Sequence, residues 1–120
     1  MKNFQLKTLF DDLARLKDGW LDGESLALES NALRKISKIF IDNYPEFLPI
    51  PLIVPTPEGN LLVEWNTTGY PSIEINIDKM TADFQHFGLY GDEYFIEKEF
   101  ELSDSGGVER FFHFLTEHVK

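Results

Sequence analysis

The chain contains no cysteine. That absence excludes disulfides and every zinc site built on thiolates, and it is compatible with a reducing cytoplasm. Long apolar runs are also missing. None approaches the ~20 residues that a helical membrane span requires. Lys2, Lys7, Asp11, Asp12 and Arg15 interrupt the stretch from Met1 to Leu16, so the unbroken apolar centre of a signal peptide is not there. The expectation is a soluble, cytoplasmic protein with no membrane partner. Basic residues are scarce in one part of the chain. Residues 1–48 carry 7 basic and 8 acidic side chains, whereas residues 49–120 carry 4 and 13, which concentrates nearly all of the net charge of −10 in the second part. An acidic surface repels a phosphate backbone or an anionic membrane and suits a basic protein. Direct nucleic-acid binding is therefore disfavoured. The plainer use of such charge is solubility.

What the chain does have is aromatic bulk: 11 Phe, 4 Tyr and 2 Trp in 120 residues. Large rings bury much area per residue, which lets a small domain form a core without covalent staples. The length suits a single domain over 1–120. The sequence shows no internal repeat, low-complexity tract or interdomain linker.

Apolar spacing predicts a helix over 4–17, with Leu6, Leu9, Phe10, Leu13 and Leu16 on one face and Gly19 as the stop. A second helix is expected from Leu26 to Asn43, capped by Ser25 or Ser30 and ended by Pro45. Arg34, Lys35 and Lys38 form a short basic stripe on its outer face. Pro49, Pro51, Pro55 and Pro57 bracket a first strand. Proline cannot donate to a sheet ladder, so this strand belongs at an edge. Pro57-Glu58-Gly59-Asn60 is a turn. Strands follow over 61–67, 72–78, 82–89 and 94–102, with a turn at Gly91-Asp92, and a last helix covers 108–119. Short connections favour a meander. The expected fold is α+β: a five-stranded antiparallel meander with two N-terminal helices and one C-terminal helix packed on one face.

A sheet packed on one side leaves the other wet. Alternation places Leu61, Val63, Trp65, Ile73, Ile75, Ile77, Tyr94, Ile96 and Phe100 inward. The same alternation places Glu64, Glu74, Glu97, Glu99 and Glu101, with Phe95, on the open face. Lys98 breaks the inward set, which suits a strand end or edge. Phe84 and Phe87 differ in parity, which suggests a bulge. Like charges side by side on a sheet cost a few tenths of a kcal/mol each. A sequence that tolerates this is either solvating a strand face or using the field.

Other constellations carry less. Glu64 and Glu74 would face each other on neighbouring strands, but paired carboxylates do acid–base work only where their surroundings push their pKa values apart. Glu109, His113 and Glu117 align at i, i+4, i+8 on the last helix, opposite its apolar stripe, where surface ion pairing explains them better than a metal site. His86 is a lone strand histidine. Gly106-Gly107 before a helix offers N–H groups, yet Asp104 and Glu109 flank it, so capping is the better reading. There is no cysteine nucleophile and no G-x-S-x-G elbow. No catalytic residue, metal site or cofactor is assigned.

Gly19-Trp20-Leu21-Asp22-Gly23-Glu24 and Val54-Pro55-Thr56-Pro57-Glu58-Gly59, followed by Leu62-Val63-Glu64-Trp65, resemble a pattern found in a group of small uncharacterised bacterial proteins. That pattern is roughly G-W-D-G, a helix, V-x-P-T-P-D-G-G, then L-E-W and an isoleucine-rich strand. The resemblance covers about residues 16–78. This chain departs by the extra Leu21, by Glu-Gly-Asn in place of Asp-Gly-Gly at the turn, and by lacking the proline-rich approach to the second helix. The resemblance implies a compact α+β domain and no activity. Physically, Trp20 and Trp65 supply packing area and Gly23 and Gly59 permit turns.

Three functional classes follow. The first is a non-enzymatic binding module, immunity- or antitoxin-like or an inhibitor, that holds a basic protein on the face carrying Glu64, Glu74, Phe95, Glu97, Glu99 and Glu101. A nucleic-acid mimic is its sharper form. The second is a small-ligand protein or enzyme with a groove between helices and sheet near Trp20, Asp22 and Trp65. The third is a structural or oligomer-forming subunit.

Overall fold

Among the described residues, each of five strands pairs only with its neighbours in the chain, all antiparallel, in the order β1 (Leu52–Pro55), β2 (Leu61–Glu64), β3 (Ser72–Asn76), β4 (Thr81–Gly88), β5 (Gly91–Glu101). The computed structural model describes residues 2–20, 23, 27–67, 71–88 and 91–119, with backbone alone for 2, 3, 85–88 and 91–97. Helices α1 (Lys2–Ala14) and α2 (Ser30–Asn43) precede the sheet and α3 (Ser105–His118) follows it. This is the α+β meander that alternation and turn chemistry predict.

The helices meet through rings. Phe40 of α2 lies 5.8 Å from Phe10 of α1, and 6.1 and 5.4 Å from Phe111 and Phe112 of α3. Phe84 and Phe100 carry the contact onto the sheet, 4.8 and 5.1 Å from Phe114. The inward residues Leu61, Val63, Trp65, Ile73, Ile75 and Ile77 are all buried. Each such side chain, fully buried, contributes about 1.5–3 kcal/mol.

Several boundaries differ from the expected ones, each for a local reason. Helix α1 ends at Ala14 rather than 17, because Arg15 and Leu16 donate to the carbonyls of Asp12 and Leu13, three residues back, and tighten the chain out of the α-helix. Gly19 then adopts φ +82°. Helix α2 starts at Ser30, with Glu29 as its cap. The Glu29 carboxylate accepts from the N–H groups of Asn31 and Ala32, at 3.1 and 2.6 Å. These bonds to the charged form hold Glu29 below its ordinary pKa. Ser30 is therefore the first helical residue rather than the cap, while Ser25 and Leu26 lie outside the described residues. Ladders β2 and β3 stop at Glu64 and Asn76, although Trp65 and Ile77 keep the inward direction. Strand β5 already includes Gly91 and Asp92, and α3 begins three residues before Val108.

Two irregularities fall where expected. The register between β4 and β5 shifts between His86 and Gly88, at the parity break between Phe84 and Phe87. Lys98 sits on an edge strand at an inward position, and its amine lies 5.5 and 5.4 Å from the Phe100 and Phe114 rings. The stem follows the core while the charge reaches its rim over aromatic faces.

Candidate functional site: the acidic sheet face

Register places the open face in rows. Leu62, Glu74, Asp83 and Glu99 stand opposite one another across β2 to β5. Glu101 lies opposite Thr81, and Glu64 lies opposite Ser72 and Leu52. Adjacent strands are ~4.8 Å apart, so Glu74, Asp83 and Glu99 form three carboxylates in a line of ~10 Å. Glu64, Glu74, Asp83, Glu99 and Glu101 are all exposed. Glu64 and Glu74 are diagonal neighbours rather than opposite, because the β2–β3 register pairs Glu74 with Leu62. Towards β1 the face turns apolar, with Leu52 59% exposed and Val54 and Leu62 half-buried.

Asp83 is the member that sequence alternation does not reveal. The bulge hides the parity of β4. Once the register shift is placed after His86, Ala82 and Phe84 point inward and Asp83 must point out. Its effect is direct. A hydrogen bond with Asp83, followed by repulsion from the Asp83 charge and more weakly from Glu101, raises the Glu99 pKa, against attraction by Lys79. The shift comes chiefly from a neighbouring carboxyl group rather than from burial. The pair remains in water, without the dry surroundings that acid–base catalysis uses. Chemically, two adjacent carboxylates are a seat for a guanidinium or ammonium group.

Among the described residues no ion pair is made to Glu74, Asp83 or Glu99. Ion pairs among the described residues include Lys7–Asp11, Arg15–Asp12 and Lys38–Asp42, and His113 pairs with Glu117, all on helices or at a helix end. Position 97 shares the open face by register, opposite Gln85, and position 95 belongs to the same strand. The side chains of Phe95, Glu97 and His86 lie outside the described residues, as does Asp22 entirely.

Of the residues of the alternative groove, Asp22 lies outside the described residues and Trp65 lies in the core. Trp65 is 1% exposed. Its Nε1 donates to the Tyr44 hydroxyl at 2.9 Å, and that hydroxyl donates to the Pro49 carbonyl. Trp65 is thus a core residue with its polar end satisfied, closed to a ligand, while Trp20 is half-buried. A cleft of about 250 Å³ does open between α1 and α2, lined by Phe10, Asp11, Ala14, Ser30, Leu33, Arg34 and Ser37. Its carboxylate, Asp11, is held by Lys7 at 2.8 Å.

On α3, His113 pairs with Glu117 at 3.1 Å, both well exposed. Among the described residues no group of three or more His, Asp or Glu is placed to hold a metal ion. The Gly107 N–H goes to the Asp104 carboxylate at 2.6 Å, so this helix start is capped from within. No helix among the described residues is long and apolar enough to cross a membrane. In comparisons with protein-family models, curated proteins and solved structures, none matches this chain.

Proposed function

We propose that the chain is a cytoplasmic, non-enzymatic binding module of the immunity, antitoxin-like or inhibitor kind, and that its open sheet face holds a basic protein. The observation that carries this reading is the cross-strand row Glu74, Asp83, Glu99. Like charges placed directly opposite destabilise a sheet. Here they stand close enough for one carboxyl to raise the pKa of the next. Solubility needs charge on the surface but not charge in register. A cationic partner would relieve the repulsion, and the apolar flank of Leu52, Val54 and Leu62 would supply the desolvated part of the contact.

A cation bound here favours the charged form of Glu99, whose pKa the neighbouring carboxyl raises. Affinity then rises with pH through the raised Glu99 titration, and falls with salt because the charges are exposed. The test compares capture from native lysate by the wild type, by E74Q/D83N/E99Q, and by a control, E58Q/E109Q/E117Q, that removes equal charge elsewhere. The expected result is a salt-eluted basic protein held by wild type and control and lost by the face variant. Equal capture by both variants, or equal loss from both, would overturn the reading.

A further inference from the structure

The two edges of the sheet are chemically unequal. In an antiparallel ladder, alternate residues turn both backbone polar groups to one neighbour and the residues between turn theirs away. The phase is readable at both ends. Thr56 donates to the Asn60 carbonyl, which makes Val54–Leu62 and Leu52–Glu64 the bonded pairs of β1 and β2. Positions 53 and 55 therefore turn their backbone groups outward on β1; Pro55 is one of these, and Pro51 stands just before the strand. The Pro55 ring sits where a new strand would need an N–H donor, so this edge is blocked there at no cost to the ladder. At the other end Leu102 donates to the Met80 carbonyl at 2.7 Å. The bonded pairs between β4 and β5 are then Ala82–Phe100 and Phe84–Lys98, and positions 97, 99 and 101 turn their backbone groups outward. Strand β5 has no proline in its 11 residues and no strand beyond it among the described residues. The first turn of α3 covers its end, because Gly107 packs against the Glu101 carbonyl.

The outward-facing positions 97, 99 and 101 are all glutamate. In a ladder the residue bonded to Glu99 would carry its side chain on the same face, directly beside that carboxylate. A second copy of β5 added antiparallel would set glutamate against glutamate, so this edge rejects self-pairing and selects an opposite charge. We propose that the β5 edge, through positions 97 and 99, takes an added strand from a protein partner, an extended segment with Lys or Arg at alternate positions. This rests on the acidic-face reading and assigns it a binding mode in which backbone bonds give affinity and alternating cations give selection.

The probe is a capped heptapeptide alternating Lys and Thr, compared with the same peptide N-methylated on every residue whose N–H would face β5. The charge is unchanged and only the backbone donors are lost. With the full-length chain, the unmodified peptide should slow amide exchange at positions 97 and 99, and methylation should weaken binding about tenfold or more. E99P, which beyond the charge lost in E99Q removes an outward donor, should bind the unmodified peptide more weakly than E99Q. Equal binding of the two peptides, without protection at 97 and 99, would overturn strand addition while leaving the acidic face as the docking surface. Failure of both peptides to bind would overturn both readings. The methylation comparison decides the matter even if E99P does not fold.

Discussion

Gly106 and Gly107 are adjacent, share the first turn of α3, and should respond to alanine with opposite signs. A Cβ on Gly107 would lie 1.8 Å from the Glu101 carbonyl oxygen and 3.0 Å from its carbon. Both atoms are backbone and cannot swing aside. Relief requires α3 to move off the end of β5, which strains the 2.6 Å bond from the Gly107 N–H to Asp104 and disturbs the buried Val108 beside it. Overpacking of this kind costs about 1–3 kcal/mol, and a weakened N-cap adds about 1. G107A should therefore lose about 2–4 kcal/mol. A Cβ on Gly106 meets the Arg110 Nη1 at 3.3 Å and the Asp104 Oδ1 at 3.4 Å. The first is the far end of a flexible side chain. The helical gain of alanine over glycine then remains, up to about 0.5–1 kcal/mol, so G106A should be neutral to stabilising. Urea unfolding of the two variants and wild type, followed by circular dichroism, reads the difference. Wild-type stability in G107A, or a loss in G106A equal to that in G107A, would refute the packing of α3 on Glu101.

Y44F should cost about 1–3 kcal/mol by leaving the buried Trp65 N–H without its acceptor, measured by thermal or urea unfolding. Burial pushes the Tyr44 hydroxyl from 10.0 to about 12, against the hydrogen bond from Trp65. A raised folded pKa means that the associated stability is whole below pH 10 and is lost as pH rises from there to about 12, which ultraviolet titration of the phenol and unfolding across that window would show. D83N should return Glu99 toward the ordinary carboxylate range in a carbon-detected NMR titration, because it removes the carboxyl group that hydrogen-bonds to Glu99 and repels its charge. An unchanged Glu99 would mean that the shift has another source. D104A should destabilise by about 1 kcal/mol through loss of the α3 cap.

The path of the chain was written in period and punctuation. Residues 61–65 and 73–77 alternate cleanly, each proline cluster lies at a strand end, and the turn at Gly59 uses φ +88°. These signals are local, so they survive without tertiary information, and they set the element order, the meander and the proline-marked edge. The element ends were less legible because local competition decides them: three-residue bonds unwound α1, and Glu29, a residue type not favoured as a cap, started α2. The acidic residues of the open face were likewise visible one strand at a time.

Their arrangement was not. Whether Glu74 faces Glu64 or Asp83 depends on strand register, a relation between segments that no single segment encodes. The bulge after His86 hid the parity of β4, and with it Asp83. Alternation points Trp65 inward, but only Tyr44, 21 residues away, supplies the acceptor that lets its indole be buried. Sequence by itself determined which residues alternate, which turns are possible and where charge accumulates, because these follow from each residue and its near neighbours. Only the tertiary structure decided which carboxylates stand opposite one another and which glycine has no room for a methyl group, because those depend on the registers and packing that bring distant segments together.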